Sequence, residues 1–318
     1  MAFLEVQPSP MLSLIRPLYR PLPLIGLSTT GLLLAATYSS SSRPATPATM
    51  TSSTTPWPVK QYTPRHQTWP YTPSDFTRQD PSPDSSFYSS PRFVTHIDDA
   101  AISTLRSYYD AVLPRQGRIL DFCSSWVSHY PPAVETAAAK GELQVIGLGM
   151  NEAELEANKV LNAGRVLVDL NVNPDIAAAL REAKLLPASS SSSPSNNEES
   201  LLDASTNVVS TDYLTAPLPV LTSLHSVTKP GGKVHLVISN RCFPTKAVNR
   251  WLRVSEEERL LMIGDYLHFA GWAEIEIVEL SNGRVEESGE AKGGLQGWMG
   301  WMGGGGRDPL WVVRGTRR

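Results

Sequence analysis

Several short polar clusters each follow directly on an apolar run of strand length, and they are the places where this chain could do chemistry. The first is Asp121-Phe122-Cys123-Ser124-Ser125-Trp126. Small residues there let backbone amides approach a polar ligand closely, although the same residues also suit a plain tight turn. The second is Gly147-Leu148-Gly149-Met150-Asn151-Glu152. It begins like a dinucleotide-binding loop but lacks the third glycine. Asn151 could hydrogen-bond ribose hydroxyls or cap the helix predicted from Glu152. The third is Asp169-Leu170-Asn171, whose carboxylate could accept from a purine amino group or simply form a turn.

Two further clusters end the series, Ser210-Thr211-Asp212-Tyr213 and Ser239-Asn240-Arg241-Cys242-Phe243-Pro244-Thr245-Lys246. Asn240, Arg241 and Lys246 at a sheet's ligand end suit recognition of a substrate or a carboxylate, and guanidinium is the better fork for a planar anion. Structural pairing of Arg241 and Lys246 is the competing reading. Cys123 and Cys242 lack the spacing of a disulfide framework or a zinc site, so no metal is expected and a reducing compartment fits better.

For these clusters to meet, apolar strands must alternate with helices. Strands are predicted at Arg118–Cys123, Leu143–Leu148, Arg165–Leu170, Asn207–Thr211 and Lys233–Ser239. Helices are predicted at Pro132–Lys140, Glu152–Leu161, Pro174–Leu185 and Pro217–Val227, with proline suited to a first turn. A leading helix is predicted over Asp98–Leu113 and a late one over Ser255–Ala270. The alternation implies a doubly wound, mostly parallel sheet, and Ala273–Leu280 with Leu310–Gly315 reads as a closing antiparallel hairpin. In such sheets ligands sit beyond the C-terminal ends of the strands, where the clusters fall.

The segments Asp121–Pro131, Gly147–Asn151, Asp169–Asn171, Asp212–Leu214 and Asn240–Lys246, in this order, resemble class I S-adenosylmethionine-dependent methyltransferase-like proteins of the type 11 group. The likeness covers about residues 92–318. It implies a seven-stranded Rossmann-like methyltransferase fold, S-adenosylmethionine as cofactor and a small-molecule acceptor. By this resemblance Asp121, Cys123, Ser124, Ser125, Gly147, Asn151, Asp169 and Leu170 would bind the cofactor. The family's Gly-x-Gly loop is replaced here by a Cys-Ser-Ser turn, and its ribose-binding acid falls on Gly149, leaving Asn151 or Glu152 as substitutes. Asp169 matches the position that contacts adenine. Should the acceptor need deprotonation, Asp212, Tyr213 and His129 are the candidates, with Cys242 beside them. A non-catalytic binding protein of the same fold is the first alternative. A nicotinamide-dependent oxidoreductase is the second, and it lacks a complete Gly-x-Gly-x-x-Gly.

The net charge of -3, without a basic block, argues against a nucleic-acid partner. Residues 1–49 hold one acid, Glu5, beside three arginines and many hydroxyl residues, a composition expected of a mitochondrial targeting segment; a cytoplasmic protein or an N-terminal membrane anchor are the alternatives. The apolar stretch Leu22–Tyr38 is broken by Pro23 and falls short of the roughly 20 residues a stable span needs. Residues 50–91, rich in Pro, Ser and Thr, read as a linker, and mobile loops are expected at about 187–203 and 281–309. The oligomeric state is not legible.

Overall fold

The computed structural model describes residues 56–186, 201–283 and 307–318, all within one compact unit. The proposed targeting segment, most of both predicted loops and the twice-repeated Trp-Met-Gly of residues 298–303 within the second loop lie outside these residues.

One sheet organises the chain. Its strands are β1 (Val59–Gln61), β2 (Gly117–Ser124), β3 (Leu143–Gly149), β4 (Gly164–Leu167), β5 (Leu202–Val208), β6 (Thr228–Ser239), β7 (Ala273–Ser281) and β8 (Leu310–Thr316). The order across the sheet is β1-β7-β8-β6-β5-β2-β3-β4. Strands β2 to β6 pair in parallel, whereas β8 runs antiparallel between β6 and β7. The seven expected strands are therefore present, with an eighth, β1, added antiparallel to β7.

Alternating strand residues serve opposite faces, as the period of two requires. Leu120, Phe122, Ile146 and Leu148 pack toward one layer, and Ile119, Leu143 and Val145 toward the other. The second layer holds α2 (Asp99–Val112), α3 (Pro132–Ala139) and α4 (Glu152–Ala157). The first holds α5 (Ile176–Glu182), α6 (Pro217–Ser226), α7 (Asn249–Arg253) and α8 (Glu256–Phe269). The helices start where the sequence signals a start: Asp98, Asn151, Asp175 and Ser255 each accept a first-turn backbone N–H, and Pro132 and Pro217 occupy opening turns.

Two expectations need correction. The fourth strand begins five residues earlier than predicted, because Ser205, Thr206 and Asn207 are fully buried polar residues, a pattern hydropathy does not read as strand; Thr206 and Asn207 bond Asp121 and Phe122 O, while Ser205 Oγ has no partner among the described residues. The linker prediction also fails from residue 56 onward. Tyr62 and Tyr71 are buried and both donate to Asp265 of α8, while Arg65 bridges Asp265 and Glu258. Trp69 packs among Tyr71, Phe76, Tyr266 and Phe269. A few large rings and one buried carboxylate thus order a segment whose average composition is that of a tail. It continues through the single turn α1 (Asp84–Phe87) into a strap that leads to α2.

Among the described residues no helix is long and apolar enough to cross a membrane.

Candidate functional site

The chain runs outward from β2 through β3 to β4, then returns to lay β5 and β6 on the other side of β2. This reversal splays the loops that follow β2 and β5, and a crevice opens beyond their ends. A cavity of about 270 Å³ occupies it, near the lower end of the roughly 300–1,000 Å³ typical of ligand sites. Its walls come from the loops after β2, β3, β4, β5 and β6 and from the strap before α2.

The loop after β2 is held from behind. Asp121 is buried and accepts from the hydroxyls of Ser124 at 2.7 Å, Ser128 at 2.6 Å and Thr206 at 3.1 Å. Burial raises its carboxyl, and those hydroxyls oppose the rise. Asn158 ties the same loop down through Ser125 O and the Ser128 hydroxyl, both at 2.9 Å. Cys123 then turns the chain at φ 53°, a left-handed conformation that a non-glycine residue adopts at a cost. His129 at φ 56° and Val209 at φ 43° are also left-handed, and all three line the cavity. Backbone strain is thus concentrated on one site, a common sign of function.

At the end of β3 the two loops touch. A Cβ on Gly149 would lie 2.3 Å from Ser124 O, so only glycine fits there. Asn151 caps α4 by accepting from Glu154 N at 3.1 Å and donates to Tyr88 O at 2.9 Å, so the capping role is the one its side chain fills. At the end of β4, Asp169 forms an Asx turn through Oδ1, which accepts from Asn171 N at 2.9 Å. Its Oδ2 has no partner among the described residues, and Val168 and Leu170 flank it with apolar surface.

Of the residues singled out from sequence, Asp121, Cys123, Ser124, Ser125, Asn151, Asp169, Leu170, His129, Tyr213 and Arg241 line this cavity. Four do not. Gly147 serves packing, since a Cβ would sit 2.3 Å from Leu161. Asn240 is exposed outside the lining. Lys246 is buried, donates to Ser82 O at 2.7 Å and pairs with Asp80 and Asp84, so substrate binding is corrected to a structural tether of the N-terminal segment. Asp212 is enclosed behind the wall, where burial pushes its carboxyl up to about 8 and Oδ2 has no partner. A base there cannot reach the cavity without movement.

The remaining candidates differ in readiness. Burial lowers His129 to about 4, with Arg106 and His96 adding to the effect, so its imidazole is neutral at pH 7. Tyr213 accepts from Phe243 N at 2.8 Å and is held well above the usual phenol range by burial. Burial also pushes the Cys123 thiol up to about 12 and raises Cys242, so neither is a ready nucleophile.

Sequence reasoning missed the wall supplied by the strap, namely Asp84, Tyr88, Arg92, His96 and Ile97, together with Glu154 of α4. Asp84 is buried, yet Arg78 at 2.7 Å and 2.8 Å and Asn171 at 2.8 Å outweigh burial and keep its carboxyl low. Asn171 also reaches Tyr213 O and Thr215, joining the loops after β4 and β5 to the strap. The signal available in the sequence was the run of aromatic residues between Phe87 and Phe93, too dense for a solvated linker. Among the described residues no cluster of three or more His, Cys, Asp or Glu could hold a metal ion.

A parallel doubly wound sheet ending in a reversed β7–β8 hairpin, with a cavity at the switch in strand order, is the Rossmann-like fold expected from the sequence. No family model matches the sequence, nor does any curated protein. Solved structures similar to it include a phosphoethanolamine N-methyltransferase 2 of Haemonchus contortus in complex with S-adenosyl-L-methionine, at 14% identity and a TM-score of 0.39. That comparison covers 69% of this chain and 52% of the other, so the chain spans about half the length of that enzyme. A possible histamine N-methyltransferase of Thermotoga maritima is similar at 16% identity and a TM-score of 0.40, covering 68% and 90% of the two chains. The putative methyltransferase in complex with the Haloferax volcanii Trm112 activator is similar at 12% identity and a TM-score of 0.40, covering 69% and 91%. These likenesses concern the fold alone.

Proposed function

We propose that the chain is a methyltransferase that uses S-adenosylmethionine and acts on a small-molecule acceptor. The observation that carries this reading is the cavity itself, which lies at the switch in strand order and has an unpaired carboxylate oxygen, Asp169 Oδ2, on a wall that Val168 and Leu170 also line. Apolar lining beside a free acceptor atom suits a purine bearing an exocyclic amino group. Leu148, Gly149 and Met150 form the adjoining wall, and the close approach of Gly149 to Ser124 O keeps the two loops in register.

Bound there, the cofactor would supply an electrophilic methyl group on a sulfonium, and transfer from it is an in-line displacement that depends mainly on positioning and exclusion of water. The chain's own part is to hold the loop after β2 in one conformation, which Asp121 and Asn158 do from behind. Cys123 makes, in a left-handed conformation, the bend for which this fold ordinarily uses glycine. His129 lines the cavity and is neutral at pH 7, so it would be the proton acceptor should the methyl acceptor need deprotonation, as a weak base because burial lowers it to about 4.

Calorimetric titration with S-adenosylhomocysteine tests the reading. Asp169→Ala is expected to weaken binding by about tenfold, the equivalent of one hydrogen bond of about 1–1.5 kcal/mol, without lowering the melting temperature. Unchanged affinity would remove Asp169 from the site, and no binding to the unaltered chain would end the proposal.

A second reading, cofactor binding without transfer, is favoured by one feature. Asn151 has both amide atoms engaged elsewhere, Gly149 stands where the ribose-binding acid is expected, and Glu152, the other substitute, is exposed outside the cavity lining, so no free side chain at the end of β3 faces the cavity for a ribose diol. Binding without a methylated product across a panel of acceptors would select it. No feature of the site favours a nicotinamide-dependent reaction.

A further inference from the structure

Every carboxylate in the cavity wall except Asp169 is already answered by several donors or by the strap backbone, but one cation in the wall is not answered. Arg92, on the strap, is half-buried, and its guanidinium carbon lies 4.1 Å from the centroid of the Phe87 ring. Phe243 at 5.3 Å and Tyr88 at 5.7 Å complete an aromatic collar. One terminal nitrogen, Nη2, donates to Phe87 O at 3.1 Å. The other, Nη1, is shut off from solvent and has no acceptor. Arg92 forms no salt bridge among the described residues. The neighbouring acid, Glu154, is engaged by the backbone N–H of Arg92 at 2.6 Å rather than by its side chain.

Buried guanidinium groups are normally satisfied, because their donors lose water without compensation otherwise. The rings around the group restrict its plane, so a partner entering from the cavity that Arg92 lines would meet its edge, and Nη1 must be uncovered by a small side-chain movement to take part. A planar anion presented edge-on matches that geometry with two parallel hydrogen bonds. The other acids around it are occupied: Asp84 by Arg78, Asn171 and Lys246, and Asp308 by Arg241 and the backbone of Asp98. Two carboxylate oxygens of the wall, Asp169 Oδ2 and Glu154 Oε2, are left without a hydrogen bond among the described residues, and neither bonds the guanidinium.

We propose that Arg92 is the receptor for a carboxylate on a molecule bound in the cavity, so that the strap, and not only the strand ends, selects the ligand. The inference rests on the methyltransferase reading for the identity of that molecule. Two sources share the chemistry, the amino-acid end of the cofactor and a carboxylate on the acceptor, and one experiment separates them.

The full chain and Arg92→Gln are titrated calorimetrically with S-adenosylhomocysteine, with 5′-methylthioadenosine, which lacks the amino acid, and with benzoate. If the cofactor supplies the carboxylate, the variant binds S-adenosylhomocysteine about 10- to 100-fold more weakly and methylthioadenosine unchanged. If the acceptor supplies it, S-adenosylhomocysteine is unaffected and benzoate no longer binds the nucleoside-saturated variant. Should neither nucleoside bind the unaltered chain, the methyltransferase reading fails by itself. Benzoate binding abolished by the substitution would still uphold the anion site, and absent benzoate binding would overturn it. Arg92→Lys keeps the charge and loses the fork. It is expected to fall several-fold below the unaltered chain, and it serves where the Gln variant does not fold. Affinities within twofold for all three probes, in either variant, would overturn the proposal.

Discussion

The residues of the site divide into those that face a ligand and those that hold others in place, and the division does not follow polarity. Asp121 is the most acidic-looking member of the first cluster, yet both its oxygens are taken by hydroxyls. Its work is to fix a loop. Gly149 carries no functional group, but it decides whether the loops after β2 and β3 can meet, since an added Cβ would press on Ser124 O at 2.3 Å. Gly149→Ala is therefore expected to lower stability by about 1–3 kcal/mol in urea unfolding and to weaken nucleoside binding together with it. A variant as stable as the parent would show that the contact relaxes freely. The neutral imidazole of His129 faces the cavity, whereas Asp212, nominated beside it, lies behind the wall. Nearness in sequence to a strand end did not tell these two apart.

Among the elements, the N-terminal segment changes the picture most. Residues 56–98 contribute an edge strand, a cluster of rings on α8 and the strap that closes the cavity. The segment is anchored at Asp265, which receives Tyr62, Tyr71 and Arg65 together. These bonds, with Arg65 foremost, overcome the upward pull of burial and keep that carboxyl ionised. Asp265→Ala leaves two phenols without their acceptor and Arg65 with Glu258 alone, so a loss of about 2–4 kcal/mol is expected by denaturant unfolding. A loss below about 1 kcal/mol would mean that the rings alone hold the segment.

Across the whole molecule, buried titratable groups set opposing trends with pH. His129, lowered to about 4, and His235, lowered to about 3, are both shifted chiefly by burial. In the unfolded chain they take protons near pH 6.5, so below that pH the unfolded state binds more protons and stability falls. Asp212 acts in the other direction. Its folded value of about 8 lies far above the unfolded carboxylate value, so its contribution is full below about pH 4 and is lost as pH rises toward 8. Stability is expected to peak near pH 6–7 and to decline on the alkaline side. Asp212→Asn should flatten that decline, measured as the urea midpoint between pH 6.5 and 8.5, and an unchanged slope would show that Asp212 is not the group responsible.

Periodicity and breaker residues by themselves fixed the alternation of strands and helices, the helix starts and the reversed final hairpin, because each is a local consequence of side-chain spacing and capping chemistry. They also marked most of the strand-end clusters that meet at the cavity. Only the tertiary structure decided which members of those clusters face inward, that Lys246 is a tether, that Gly147 serves packing, and that the polar run Ser205–Asn207 is buried strand. It alone revealed the strap and Arg92. The reason is physical: a buried polar group is stabilised by partners far away in sequence, such as Tyr71 with Asp265 or Asp121 with Thr206, and no local pattern records where those partners will be.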